Sequence, residues 1–454
     1  MLYALLRLVV KIALRVFYTN VEVKTKAPIP AKGPLIVVAN HPNTFMDPIV
    51  IASILPQQVY FLTNGSVFKN PVIGWLLGKM NMIPIYRKQD VEGQTPDNRA
   101  SFAKCFDFLA NKGTLLIFPE GSSVNERRLR KLKTGTARIA LGAEAEHNFN
   151  LGIQILTIGL NYSDPVHFRS ELFVNVDKPI LVKSFAESYL KDPYEAVNQL
   201  TEQLRQRLES HLIITRDEEE DKLVQDIEMV YKDRLTDVLD VDSEAEEFLL
   251  TQHIVEAIRY FESNQPEKLT TIRQKMADYT LNLKRLRLQD SAFAAEKQKN
   301  NLLSVIASLV YIVFGFPLYL YGLLHNYIPY IIPSKVARLI TKDEVYMAPI
   351  MMTTGIFSFS VCYAILITFF HRFTGHIWWL TGLYAVSLPV SGFLVLHYWN
   401  HLINFYNKWM LFSLFYRRKE IASLLVQKRS AIVKLLEEAR KEYTAYFAQK
   451  KAAE

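Results

Sequence analysis

The chain has 454 residues, half of them apolar and 12% aromatic, which is more than one typical core takes up and implies at least two structural units. Its formal net charge of +8 comes without an RNA- or DNA-binding signature, so nucleic acid is set aside as a partner and the surplus points to anionic lipid head groups or a phosphorylated substrate. Two cysteines, Cys105 and Cys362, exclude a disulfide framework and a zinc site; both read as small buried apolar residues, compatible with a reducing cytosol.

Residues 1–19 are expected to form an amphipathic membrane-associated helix. Arg7, Lys11 and Arg15 recur at i,i+4 spacing among Leu2, Leu5, Leu6, Val9, Ile12, Ala13 and Val16, giving a basic stripe on an otherwise apolar cylinder. The segment lacks the cleavage pattern of a signal peptide, and its apolar run is interrupted too often to span a bilayer. An interfacial anchor is the expectation, and a helix packed on the head domain is the alternative.

In residues 20–185 short apolar runs alternate with helical segments, which predicts an α/β domain. The predicted strands are Leu35–Ala39, Val59–Leu62, Ile83–Tyr86, Leu115–Phe118, Ile153–Tyr162 and Leu172–Val176. The first and fourth, punctuated by Gly33 and Gly113, are expected to be buried on both faces. Residues 186–300 turn to charged, helix-period sequence, including Glu195–Leu212 and Lys268–Leu288 with the acidic run Asp217–Asp221 between them. This is a helical region whose charges read as solvated faces.

Within residues 301–400, segments 302–324, 345–370 and 377–399 are each long and apolar enough to span, with Trp378, Trp379, Tyr398 and Trp399 placed as interfacial aromatics. Residues 401–454 form a basic helical tail that starts with Lys408, Arg417, Arg418 and Lys419. Three crossings would separate head from tail, whereas the positive-inside tendency keeps both in the cytoplasm. Residues 302–334, uncharged and broken by Gly315, Pro317, Pro329 and Pro333, are therefore the candidate for a re-entrant segment. The chain is read as an integral membrane protein with its head facing the cytoplasm.

Chemistry concentrates at two strand ends. Asn40-His41-Pro42-Asn43-Thr44-Phe45-Met46-Asp47 pairs an imidazole, suited to taking a proton from an alcohol near neutral pH, with a carboxylate that can fix its tautomer. Backbone amides at the start of the following helix are the expected donors to an oxyanion. Phe118-Pro119-Glu120-Gly121-Ser122-Ser123 leaves a second strand, with Pro119 ending the ladder, Glu120 as an acceptor for substrate hydroxyls and Gly121 letting a ligand approach the backbone. Arg127, Arg128, Arg130, Lys131 and Lys133 follow, and Arg87 ends the strand between the motifs, so a phosphate has cations to meet. A basic loop by itself is more often simply solvated. Gly74-Trp75-Leu76-Leu77-Gly78-Lys79 is one residue short of a phosphate loop, no Gly-x-Ser-x-Gly elbow occurs, and His371 with His376 lacks a carboxylate or thiol partner for a metal.

This combination resembles the glycerolipid acyltransferase superfamily, which includes glycerol-3-phosphate and 1-acylglycerol-3-phosphate acyltransferases, over roughly residues 20–182. The resemblance implies a mixed sheet flanked by helices. It makes His41 and Asp47 the catalytic dyad, Arg87 the phosphate-binding arginine, and Glu120 and Gly121 the core of the third motif. Ser122 and Ser123 take the variable end of that motif, Lys133-Thr134-Gly135 the lysine-containing segment after it, and Ile155–Asn161 the fourth motif. Two departures stand out. Five residues rather than four separate His41 from Asp47, which moves Asp47 around its helix, and no proline follows the fourth motif until Pro165. The form His-Pro-Asn-Thr-Phe-Met-Asp is similar to the yeast-type glycerol-3-phosphate and dihydroxyacetone-phosphate acyltransferases.

The implied reaction moves a fatty acyl chain from acyl-CoA or acyl carrier protein to a hydroxyl of glycerol 3-phosphate or a lysophospholipid at a membrane. His41 acts as base, no acyl-enzyme forms, and neither metal nor cofactor is needed. The substrate-binding set is Arg87, Glu120, Gly121, Ser122 and Lys133. The same chemistry on another lysolipid or an amino-lipid is the alternative, and a non-catalytic membrane scaffold a more distant one.

Overall fold

The computed structural model describes residues 2–68, 70, 71, 74, 75, 78, 81–85, 98–239, 244–286, 288–290, 293 and 302–453. The chain divides into two compact units: residues up to Ile214 together with Val336–Met352, and Thr215–Lys335 together with Thr353 onward.

In the first unit the chain runs α1 (Leu2–Phe17), β1 (Asn20–Thr25), β2 (Leu35–Ala39), α2 (Met46–Ile54), β3 (Val59–Asn64), β4 (Met82–Ile85), α3 (Arg99–Ala110) and β5 (Thr114–Ile117). It continues as α4 (Gly135–Glu146), β6 (Gln154–Tyr162), β7 (Glu171–Val176), β8 (Ile180–Leu181), α5 (Ala186–Lys191) and α6 (Pro193–Glu209). The strands form one eight-stranded sheet in the order β1-β7-β6-β2-β5-β3-β4, with β8 on β6. Pairings are parallel except β6 with β7 and β6 with β8, so the sheet is mixed.

The centre of the sheet is where the sequence is most apolar, because a strand covered on both faces cannot alternate with polar residues. Every residue of β2 is buried. Ile36 and Val38 face one core layer, closed by α3, α4 and α6, while Leu35, Val37 and Ala39 face the other, closed by α1 and α2. The first layer reaches past residue 185, because Ala196, Val197, Leu200, Leu204 and Leu208 form the buried stripe of α6. Asp192 caps that helix by accepting from the Tyr194 and Glu195 amides, with Pro193 in its first turn.

The second layer takes in both ends of this unit's chain. Leu14, Phe17 and Tyr18 are buried in it, while Leu5, Leu6, Leu8, Val9 and Ile12 stay exposed. Arg7 donates to the carbonyls of Ser53, Leu55 and Pro56 at the end of α2. Helix α1 therefore docks on the domain and leaves an apolar face exposed. Ala348 and Met352 enter the same layer.

The second unit begins with α7 (Glu218–Leu239), α8 (Glu244–Asn264) and α9 (Pro266–Leu286). It also holds most of α10 (Leu302–Ile340) and α11 (Met347–Phe373), and all of α12 (Trp378–Arg417) and α13 (Lys419–Ala453). Three helices, Ile306–Ile340, Glu344–Phe373 and Trp378–Asn407, are long and apolar enough to cross a membrane. Helix α10 is continuous through Pro317, Pro329 and Pro333, where the sequence suggested a broken segment, and α12 runs unbroken past residue 400. Asn326 ties the three together: its amide donates to Gly322 and Leu388 carbonyls and to Ser391 Oγ, and its Oδ1 accepts from Tyr363. Helix α13 lies against α9, where Lys428 meets Asp278 at 2.6 Å, and Arg429 grips Asp290, four residues past the end of α9, at 3.0 Å.

Candidate active site

Strand β2 delivers His41, and the side chain before it sets the exit. Asn40 accepts from the Leu160 amide at 2.8 Å and donates to the Leu160 carbonyl at 3.0 Å, so its amide continues the β2–β6 pairing by one rung after the backbone has left the sheet. The chain then turns through residues 41–45, with Thr44 at φ +21°, and enters α2 at Met46. This loop absorbs the extra residue between His41 and Asp47. His41 Nδ1 and Asp47 Oδ2 are 2.8 Å apart, so the longer spacing does not break the pair.

Asp47 is fully buried in the first turn of α2, where the helix dipole favours a carboxylate. Its Oδ2 also accepts from the Asn43 amide at 2.8 Å, and its Oδ1 from the Tyr162 hydroxyl at 2.7 Å. With Nδ1 directed at the carboxylate, the tautomer that donates there leaves Nε2 with a lone pair, as a base requires. On its face the His41 ring stacks against Phe118, centroids 3.9 Å apart and planes at 10°.

The second motif is bound to the first through Glu120. Its Oε1 accepts from the His41 amide at 3.0 Å and its Oε2 from the Arg130 amide at 3.1 Å. Burial raises its pKa above the usual carboxylate value, against the opposing pull of those two amides. Glu120 was expected as an acceptor for substrate hydroxyls. In the structure both oxygens also serve backbone N–H groups and brace the two loops together, with a second lone pair left on each. The Val124 amide closes the bracket on the His41 carbonyl at 3.2 Å.

Residues 118–121 make a tight turn, the Gly121 amide donating to the Phe118 carbonyl at 3.1 Å with Gly121 at φ +73°. A Cβ on Gly121 would lie 2.4 Å from Lys133 Nζ, so the ammonium sits directly over the glycine, held there as the Lys133 amide donates to Pro119 O. Ser122 is half-buried beside it, and it is Ser123 whose hydroxyl accepts from the Thr44 amide at 2.8 Å. Of the other cations, Arg128 and Arg130 share Glu126 at 3.2 and 3.8 Å. Arg87 lies outside the described residues.

Among the amides at the start of α2, those of Asn43, Thr44, Met46 and Asp47 are engaged by Asp47, Ser123 and, twice, the Asn43 carbonyl. Three further contributors escaped the sequence reading: Asn40, Phe118 and Tyr162. Only Tyr162 left a readable signal, since alternation along β6 puts it with Ile158 and Leu160 on the face that α2 covers, and a buried tyrosine hydroxyl seeks an acceptor. The segment 341–346 also reaches this loop, where Thr44 Oγ1 donates to the Val345 carbonyl at 2.7 Å.

Residues 20–161 match the Acyltransferase family model. Glycerol-3-phosphate O-acyltransferase 1 of Saccharomyces cerevisiae is 22% identical over 60% of this chain and 47% of its own length. Glycerol-3-phosphate O-acyltransferase 2 of the same yeast is 34% identical over 25% of this chain and 15% of its own. A chloroplastic 1-acyl-sn-glycerol-3-phosphate acyltransferase of Brassica napus is 29% identical over 24% of this chain and 29% of its own. The chain thus spans about half or less of the length of these relatives. Its residues 20–161, which carry the His41–Asp47 pair and the Glu120-Gly121 turn, are a domain of the Acyltransferase family.

Proposed function

We propose that the chain is a membrane-bound O-acyltransferase that moves a fatty acyl group from acyl-CoA or acyl carrier protein to a hydroxyl of glycerol 3-phosphate or a lysophospholipid. The observation that carries the reading is the 2.8 Å contact between His41 Nδ1 and Asp47 Oδ2, set beside a turn whose glycine lies under the Lys133 ammonium. The acceptor class follows the relatives, whose names specify glycerol 3-phosphate and 1-acylglycerol 3-phosphate.

In this reading His41 Nε2 takes the proton of the acceptor hydroxyl as its oxygen attacks the thioester carbonyl. The tetrahedral oxyanion collapses, the carbon–sulfur bond breaks, and the imidazolium returns its proton to the departing thiolate, giving an ester and a free thiol. Asp47 holds the ring and stabilises the imidazolium while it exists. Lys133 and Arg87 are the cations for the acceptor phosphate, and the reaction as written uses no metal or cofactor. Helix α1 and the apolar helices would keep the domain at the cytosolic leaflet, where a water-soluble thioester meets a lipid product.

The test is acyl transfer from a labelled long-chain acyl-CoA by the detergent-purified full chain, with glycerol 3-phosphate and lysophosphatidate offered side by side. His41→Ala is expected to lower the rate by about 10²–10⁴-fold. Wild-type product that survives in His41→Ala would overturn the mechanism.

A further inference from the structure

We propose that Tyr162 is a positioning residue for the His41–Asp47 pair, acting through the carboxylate oxygen that His41 does not use. The inference rests on the acyl-transfer reading of this site. Asp47 Oδ2 is shared by His41 Nδ1 and the Asn43 amide, both at 2.8 Å. Those two donors fix one oxygen and leave the carboxylate free to swing about its Cβ–Cγ bond. The Tyr162 hydroxyl, at 2.7 Å from Oδ1, removes that freedom.

Tyr162 is itself held firmly. It ends β6 in register with Leu172 of β7, and its ring meets that of Tyr18 at 5.8 Å, with Tyr18 fully buried against Phe17. The contact runs between α2 and a strand more than a hundred residues away, so it sets how the first turn of α2 faces the sheet. This matters where five residues separate the pair, because the 41–45 loop, with Thr44 at positive φ, does not by itself determine which way Asp47 points.

A buried tyrosine that simply found an acceptor would give the same picture, so the test must read the imidazole. Tyr162→Phe keeps the ring and its packing and deletes only the donor. In the full chain it is expected to lower kcat about 10- to 100-fold, by analogy with small misplacements of catalytic groups, with the acceptor KM within about twofold. The acidic limb of the kcat/KM profile should move to higher pH, since a carboxylate with one donor fewer holds the imidazolium more strongly.

Carbethoxylation of His41 followed by mass spectrometry across pH reads the same titration without any acceptor. It should show the same upward shift in Tyr162→Phe, and the shift should vanish when Tyr162→Phe is made on an Asp47→Asn background. An unchanged carbethoxylation profile in a folded Tyr162→Phe protein overturns the proposal, whatever the transfer assay gives. A shifted profile alongside no His41-dependent transfer would overturn the acyl-transfer reading and leave the Tyr162–Asp47–His41 coupling standing.

Discussion

Gly121 shows how much one missing side chain decides. Its φ of +73° already disfavours any other residue, and the space a Cβ would occupy belongs to Lys133 Nζ. Because the obstructing atom is the end of a flexible chain, Gly121→Ala should fold and push the ammonium aside. Steady-state kinetics are expected to show the KM for a phosphorylated acceptor rising about tenfold, as for loss of one charged contact, with kcat changed less. Equal loss for an unphosphorylated acceptor would remove phosphate binding from the role of Lys133. At this scale the sequence singled out His41 with Asp47 and Gly121 with Lys133, and the structure brings each pair together. What it did not reveal is the bracing by Glu120, because nothing in Phe-Pro-Glu-Gly shows that two amides, at positions 41 and 130, converge on it.

At the scale of elements, β7 and α6 meet through a buried charge. Asp177, one residue beyond β7, accepts from Arg207 of α6 at 2.7 Å and has Lys26 at 3.6 Å. His211, just past α6, is fully buried with Nε2 at 3.2 Å from the same carboxylate, facing it outside hydrogen-bond geometry. Burial works against the Asp177 charge, yet the hydrogen bonds from Arg207 and the Lys178 amide, with His211 close by, outweigh it and hold the carboxyl at about 2. Burial lowers the His211 pKa below its ordinary 6.5, against the partial support of Asp177. Both folded-state values are depressed, so both groups contribute stability that is present at neutral pH and lost on acidification. The His211 share fades as pH falls below 6.5, and the Asp177 share as pH falls below 3.8 toward 2. Thermal melting from pH 7.5 to 5 should show a falling midpoint in the wild type and a flatter one in His211→Gln. Parallel curves would exclude the histidine. The elements themselves were legible in proportion to their burial. The five apolar residues of β2 predicted its limits, whereas Asn-Val-Glu-Val-Lys-Thr of β1, a largely exposed edge strand, gave no comparable run. Helix α6 was visible as a helix but assigned to the wrong neighbour, since an amphipathic stripe says that something covers it and not what.

At the scale of the whole molecule, the sequence marked three apolar stretches and left open how many cross. One detail of the first unit bears on this. Thr44 donates to the Val345 carbonyl, Phe45 and Tyr346 rings lie 6.4 Å apart, and Ala348 and Met352 are buried with Leu14 and Met46. The segment joining α10 to α11 is therefore part of the first unit, which the chain leaves at Ile214 and rejoins at Val336. A chain that departs from one side of a membrane and returns to it must cross an even number of times in between. Among the described residues, that interval holds a single candidate span, in α10. Parity therefore predicts that residue 342 lies on the same side as the head, whatever depth the 39 residues of α10, about 58 Å long at 1.5 Å per residue, reach. Helices α11 and α12, crossing in turn, would put residue 375 on the far side and bring residue 430 back. Single cysteines labelled with an impermeant maleimide in sealed vesicles, on a background lacking Cys105 and Cys362, should place residues 32, 342 and 430 on one side and residue 375 on the other. Labelling of residue 342 on the side opposite residue 32 would make α10 a crossing helix. If residue 342 lies with the head, the hydrogen bond from Thr44 to the Val345 carbonyl ties the loop that follows His41 to the segment that leads into α11.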